Sequence, residues 1–415
     1  MKKAGGPVRD FTKLQKKLDK AMGKAPELDF DNTEITFAHL SDAELKQSGW
    51  LFGVMNKPWL TNSLSGLGLH AVKWGLPGAA WAMKKTIYPQ FVGGTSLLAS
   101  QDTIDQLYAH GVYSVLDYGA EGKEEEADFN STMKEVMRGI DFASHSDAIP
   151  VVVTKISGMA TSRLLENMQQ PDFTHTDATE KEYSSVMKRL DAICSHAAKN
   201  GVKIFFDAEE SWIQNTLDDM ATIMMERYNQ HSVTVYNTFQ LYRHDRLAFL
   251  KKSHERARKN NYMLGAKLVR GAYMEKENER AKEKGYPTPI QPSLEATHRD
   301  FNAAVRYCVD HYLEIASCNA SHNRESVRLQ TQLIEERNLP RRHEHLNVCQ
   351  LLGMSGNLTC NLAAAGYNVA KYLVYGPVKD VAPYLIRRAQ ENTSVTGDMS
   401  RELRLIRTEI ERRGL

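Results

Sequence analysis

The sequence lacks any run suited to crossing a membrane as a helix. Its most apolar window, LSGLGLHAVKWGLPGAAWAM from Leu64 to Met83, is interrupted by His70, Lys73, Pro77 and several glycines. A spanning helix needs about twenty predominantly apolar residues, so this window reads as buried or interfacial. Cysteine is scarce: five in 415 residues, an odd number with no C-x-x-C pair. That argues against a disulfide framework or a zinc site and fits a reducing compartment. Neither charge sign dominates, with 53 basic against 51 acidic residues, so no nucleic-acid footprint is visible. The opening MKKAGGPVRD has no apolar core and no Arg/Ser-rich amphipathic pattern, so no targeting segment is expected from it. Three glycine signatures are also missing. Without G-x-G-x-x-G, G-x-x-x-x-G-K-[ST] or G-x-S-x-G, a Rossmann dinucleotide site, a P-loop and a hydrolase nucleophile elbow are not expected.

What remains is ordinary globular composition, 42% hydrophobic and 25% charged, on a chain long enough for a large core. Residues 8–22 read as a short amphipathic helix, with Phe11, Leu14 and Leu18 on one face. A helical, aromatic-rich arm follows, in which Ser41 and Glu44 have capping-box spacing. From about residue 105 short β-branched runs alternate with longer helical patterns. The runs are 113–119, 149–158, 202–210, 232–240, 264–273, 313–322, 346–353 and 370–376. Such continuous apolar runs suit parallel strands buried on both faces. Eight strand–helix units in this length match a (β/α)8 barrel, with a doubly wound sheet as the alternative. We therefore expect an α/β protein: a distorted TIM-like barrel over 101–415, behind a helical arm over 1–100. The stretch QPDFTHTDATEKEY from Gln170 and the proline-rich 285–293 are expected to be loops. The C-terminal stripe of Leu403, Ile406 and Ile410 marks a helix that covers the barrel.

In a barrel, chemistry gathers where strands end. Lys155 ends the second run, Asp207, Glu209 and Glu210 the third, and Asn237 and Gln240 the fourth. Lys267, Arg270, Gly271, Ala272 and Tyr273 belong to the fifth, Ser321, His322 and Asn323 to the sixth, and Gln350 to the seventh. Each has a plain structural alternative: a snorkelling lysine, a helix-capping aspartate, a satisfied core histidine. His343 and His345 in RHEH lack a third ligand nearby, so no metal is expected. The last helical pattern holds YLIRRAQENTSV, where Glu391 lies one turn from both Arg387 and Arg388. On spacing alone this also describes a salt-bridged surface helix.

The stretches KLVRGAY, FFDAEES, YNTFQLYRHD, QLLGM and YLIRRAQEN resemble flavin-dependent proline dehydrogenases, in the right order and at barrel spacing from about Asn32 onward. WLFGVMNKPWL resembles the single-function, eukaryotic-type branch. The resemblance implies a distorted barrel that binds FAD without a Rossmann domain. It implies oxidation of L-proline to Δ1-pyrroline-5-carboxylate by hydride transfer from C5 to flavin N5, with a membrane quinone as the electron acceptor. It also implies peripheral attachment to an inner membrane, on the cytoplasmic side in a bacterium or the matrix side in a mitochondrion.

By that resemblance Arg387 and Arg388 hold the proline carboxylate, with Lys155 as a third cation and Glu391 orienting the pair. Guanidinium forks suit this task. Adjacent arginines point about 100° apart on a helix, so both reach one ligand only at the helix start or edge. Asp207 matches the family's active-site aspartate. Tyr372 and Tyr384 match tyrosines that wall the proline ring, and Leu268 and Tyr273 match further wall positions. Gln240, Lys267, Val269, Arg270, Gly271, Ala272, Ser321 and His322 match cofactor contacts. Many bacterial members carry arginine in place of Lys267, and often a glutamate near the place of Thr95. Hydroxyproline dehydrogenases also resemble this chain, but tend to have serine where Tyr372 stands. Tyrosine fills the space a 4-hydroxyl needs, which favours L-proline over trans-4-hydroxy-L-proline. A third possibility is a catalytically silent barrel that binds proline or a membrane partner through the apolar arm, Trp50 to Met83.

Overall fold

A computed structural model of the protein describes residues 28–55, 78–119, 125–170, 172–394 and 398–415. The helix expected over 8–22 and most of the apolar window 64–83 lie outside the described residues. Among the described residues nine strands form one parallel sheet: β1 Val92–Gly94, β2 Tyr113–Tyr118, β3 Val151–Thr154, β4 Lys203–Phe206, β5 Val235–Gln240, β6 Leu264–Val269, β7 Ile315–Ala320, β8 Leu346–Leu351 and β9 Asn368–Tyr375. Strands β2 to β9 pair in chain order, and β9 pairs back with both β8 and β2. The eight expected strands therefore close into a (β/α)8 barrel, and the doubly wound alternative falls.

Alternation along the strands separates two cores. Val115, Val151, Val153, Phe205, Tyr236, Cys318, Cys349 and Tyr372 share the cluster that fills the barrel. Their neighbours Leu116, Val152, Phe206 and Leu373 belong to the layer between the sheet and the helices. Both faces are buried, which is why the runs read as continuous rather than alternating.

Some strands are shorter than their apolar runs. β3 stops at Thr154 because Ile156–Met159 turns into a 3₁₀ segment. β6 stops at Val269, before Gly271 at φ +142°. The polar stretch after Gln170 is loop only in its first part. Thr176 caps a helix running Asp177–Asn200, its hydroxyl accepting from the Thr179 amide.

The short β1 was not among the expected strands. β9 outruns β8, which pairs with it only as far as Tyr372, and β1 takes up Val374 and Tyr375. Three residues containing two glycines carry too little periodicity to be read as a strand. The Ser41–Glu44 capping box forms in full: the Ser41 amide donates to Glu44 at 2.8 Å and the Glu44 amide to the Ser41 hydroxyl at 3.3 Å. The helix Asp398–Arg413 packs on the arm helix Asp42–Met55, Ile406 and Ile410 meeting Gly49. Arg413 closes that seam by donating to the carbonyls of Phe37 and Leu40 at 2.8 and 2.9 Å.

Candidate functional site

The C-terminal ends of the strands carry the expected polar groups, and the sheet register sets their positions. Asp207 follows β4 in phase with Phe205, and Lys267 on β6 lies over the rings of Phe205 and Tyr372 at 5.6 and 4.9 Å. Both therefore point into the barrel. Lys267 forms an ion pair with one Asp207 oxygen, and the Tyr372 phenol donates to the other at 2.8 Å. Strands β4, β6 and β9 are thus tied together across the mouth. Burial alone pushes the Asp207 pKa up. The charges of Lys267 and Lys155, with the hydrogen bonds from Lys267 and Tyr372, outweigh it and hold the carboxyl below its ordinary value. The phenol moves the other way. Burial and the neighbouring carboxylates Asp117 and Asp207 keep Tyr372 protonated far above the usual tyrosine range.

A second group lies along β6 and β7. Arg270 donates to the hydroxyls of Ser321 at 2.6 Å and Ser326 at 2.9 Å, and to His298 Nδ1 at 3.0 Å. Its guanidinium lies 4.3 Å over the Phe301 ring. Because His298 accepts at Nδ1, its proton sits on Nε2. Ser326 belongs to the first turn of the helix Arg324–Glu336, capped by Asn323. Gly271 is exposed with φ +142°, and a Cβ there would collide with the Tyr242 ring, so only glycine fits.

His322 is held from two sides. The Leu351 amide donates to Nε2 at 3.4 Å, so the ring proton lies on Nδ1 and goes to the Ser355 hydroxyl at 2.9 Å. Burial, then the positive charges of Lys371, Arg388 and Arg270, push its pKa down to about 3. It is a neutral imidazole at physiological pH. The loop that carries Ser355 is itself fastened by the buried Lys371, whose ammonium donates to the carbonyls of Met354 and Leu351 at 2.5 and 3.3 Å. Burial lowers the Lys371 pKa to about 8. Gly353 in this loop, at φ +77°, lies so close to the Gln90 carbonyl that a side chain would clash.

The other expected residues fall as follows. Arg387 is half-buried and Arg388 buried on the helix Val378–Ser394, where Arg388 lies 5.4 Å over the ring of Tyr384, one turn earlier. Tyr384 shares the barrel-side cluster with Tyr372. The Glu391 side chain lies outside the described residues. Lys155 is half-buried directly after β3. Gln240 ends β5 and donates to the Glu209 carbonyl at 2.7 Å. Val269 and Tyr273 are half-buried and Ala272 is exposed, around the end of β6. Leu268 is set apart: it points away from Lys267, into the layer between sheet and helices. Sequence reasoning gave no role to Asp117, His298, Ser355 or Lys371. Asp117 had a legible signal, since it keeps phase with Val115 inside an apolar strand. The other three act through contacts distant in sequence and left no local pattern.

Comparison with known proteins assigns the chain. The sequence model of the proline dehydrogenase family matches residues 100–401. The carbapenem antibiotics biosynthesis protein CarD of Pectobacterium carotovorum is 32% identical over 81% of this chain and 86% of that protein. The hydroxyproline dehydrogenase of Xenopus laevis is 31% identical over 80% of this chain and 79% of that protein. Human mitochondrial proline dehydrogenase 1 is 37% identical over 57% of this chain, which spans only 40% of that longer protein. Among solved structures, proline utilization A from Bdellovibrio bacteriovorus, inactivated by N-propargylglycine, superposes with a TM-score of 0.67 at 18% identity. It covers 88% of this chain and 37% of that one, a likeness of fold. The chain belongs to the proline dehydrogenase family.

Proposed function

We propose that this protein oxidises L-proline to Δ1-pyrroline-5-carboxylate with FAD as its cofactor and a membrane quinone as the final acceptor. The observation that carries this reading is the group Asp207, Lys267 and Tyr372, tied across the mouth of the barrel. It combines a fixed charge pair with an aromatic wall, below a helix bearing two arginines.

The residues around β6 and β7 suit FAD. Arg270 and the Ser321 hydroxyl, beside the start of a helix, form a donor set that suits a pyrophosphate. The exposed Gly271 lets a ligand approach the backbone closely. Neutral His322, Ser321, Gln240 and Lys267 supply the remaining polar contacts, with Val269 and Ala272 beside them. Bound there, FAD would accept the hydride from C5.

The chain's own residues do the positioning. Arg387, Arg388 and Lys155 neutralise the carboxylate of proline and fix the ring through directional bonds. Tyr372 and Tyr384 wall the ring and keep water from the reacting carbon, with Tyr273 at the rim. Placing the ring supplies much of the barrier reduction in such a reaction. Oxidation needs the amine lone pair, and a cationic mouth favours loss of the amine proton. Lys267 stabilises negative charge that builds up on the cofactor side, and Asp207 keeps that lysine in place.

Contact with a membrane surface, at a mitochondrial or bacterial inner membrane, belongs to the same proposal. Mitochondrial relatives in Drosophila and human support it. Among the described residues no helix is long and apolar enough to span a membrane. The similarity to a hydroxyproline dehydrogenase keeps trans-4-hydroxy-L-proline as the second substrate to test.

The test is anaerobic titration of the purified, FAD-loaded protein with each substrate, followed by visible absorbance. L-Proline should bleach the flavin spectrum at concentrations where hydroxyproline does not. Bleaching mainly by hydroxyproline would reverse the substrate assignment, and no bleaching by either would remove the proposed activity.

A further inference from the structure

Asp117 is a buried carboxylate with no role so far. It lies on β2, 5% exposed, in a strand otherwise made of Tyr, Ser, Val and Leu. Val115 faces the barrel interior and Leu116 the helices, so Asp117 faces inward again. The register places it beside Val153 of β3 and Val374 of β9, one step above the pairing of Val115 with Tyr372. Its carboxylate lies within hydrogen-bonding reach of the Tyr372 phenol. That phenol already donates to Asp207 from the far side of the mouth.

Packing alone does not explain an acid here. Removing a carboxylate from water costs several kcal/mol, and an aliphatic side chain would fill the interior without that cost. Asp117 is also poorly explained as a partner of Lys267, which is paired with Asp207. By register, Lys155 stands one step above Asp117 and level with Asp207, so the mouth places two lysines among two aspartates. The phenol has one proton and two carboxylates competing for it. Two carboxylates within reach of one hydroxyl confine it, because a ring that swings away from both loses its charge-assisted bond.

We propose that Asp117 is a positioning residue that locks the Tyr372 ring from the β2 side, and so sets the room available at C4 of a five-membered cyclic imino acid. The inference rests on the proposed reading, in which Tyr372 flanks that carbon. With Asp117 present, the ring stays over the space of a 4-substituent. Without it, the ring is held only through Asp207 and can tilt to admit a hydroxyl.

The experiment is a double-mutant cycle with Asp117→Ala, Tyr372→Phe and both together, in FAD-loaded protein. The measured quantity is kcat/KM for L-proline divided by that for trans-4-hydroxy-L-proline. Each single change should lower this ratio at least threefold, mainly through KM. The double change should lower it no further than the larger single one. An unaltered ratio in Asp117→Ala overturns the proposal, as do effects that multiply in the double variant. If Asp117→Ala does not fold, the same cycle is run with Asp117→Asn, which keeps the volume and removes the charge. Urea unfolding of the same set separates this inference from the function it rests on. Should the wild type oxidise neither substrate, coupled midpoints still support the Asp117–Tyr372 lock, and additive midpoints reject it.

Discussion

Two buried aspartate–cation pairs in this molecule use nearly the same chemistry to different ends. Asp218, on the helix Ser211–Tyr228, pairs with Arg246 in the layer outside the barrel. Its other oxygen accepts from Gln214 at 2.9 Å and from Asn237 at 2.8 Å. The two charged side chains are 4% and 2% exposed. Asp207 pairs with Lys267 inside the barrel, and its side chain keeps 16% exposure toward the mouth. Asp218 is enclosed by donors from two helices and a strand. Asp207 has fewer donors and an open edge. A saturated pair fastens the fold, whereas the pair open on one side is the one that we propose serves a ligand.

The largest effect should come from breaking the enclosed pair. Asp218→Ala leaves Arg246 charged and buried without its main partner, which costs about 3–5 kcal/mol. Asp207→Ala leaves Lys267, itself 6% exposed, facing the open edge that the lost carboxylate vacates to water, and should cost less, about 1–3 kcal/mol. Activity should follow the opposite order, with turnover collapsing in Asp207→Ala and persisting in folded Asp218→Ala. Urea unfolding and steady-state kinetics on both variants decide this. Equal losses of stability would erase the distinction.

Arg388 sharpens the comparison, because it is buried like Arg246 and yet assigned to the substrate. Arg388→Met should raise the proline KM by about 30-fold or more, the loss of a charge-assisted bond of about 2–3 kcal/mol. FAD should stay bound. Arg246→Met should instead reduce stability and leave KM near its starting value. An unchanged KM in Arg388→Met would remove the arginine clamp from the mechanism.

The difference between the two pairs also shows what the sequence makes legible. The barrel could be read because each strand is a continuous apolar run followed by a helical pattern, both local properties. The mouth could be read in part, since Lys155, Asp207 and Lys267 stand at or near strand ends. The pairing of Asp207 with Lys267 and Tyr372 could not, because it joins residues 60 and 165 positions apart. Leu268 shows the same limit from the other side: a neighbour of a site residue in sequence, it faces the opposite layer. Asp218 and Arg246 carry no local pattern that sets them apart from other helix charges, and only packing buries them. β1 escaped notice because its pairing comes from the end of β9, not from its own residues.

The smallest expected effect compares the mouth with the arm through two histidines. Burial is the first cause of depression for both, taking His322 to about 3 and His39 to about 4. Around His322 the positive charges of Lys371, Arg388 and Arg270 add to it. Around His39 the charges of His110, Lys371 and Arg413 add to it, against an opposing Glu44. Each ring is neutral in the folded protein and titrates near 6.5 when unfolded. Their stabilising contribution is therefore complete above pH 6.5 and is lost progressively as pH falls toward the folded values. Thermal midpoints should decline between pH 6.5 and 4.5, and less steeply in His322→Gln and in His39→Gln. FAD affinity, read by fluorescence quenching, should weaken in His322→Gln only. If both slopes match the wild type, these histidines do not govern that decline. If FAD affinity falls equally in both variants, the arm is coupled to the cofactor side as closely as the mouth is.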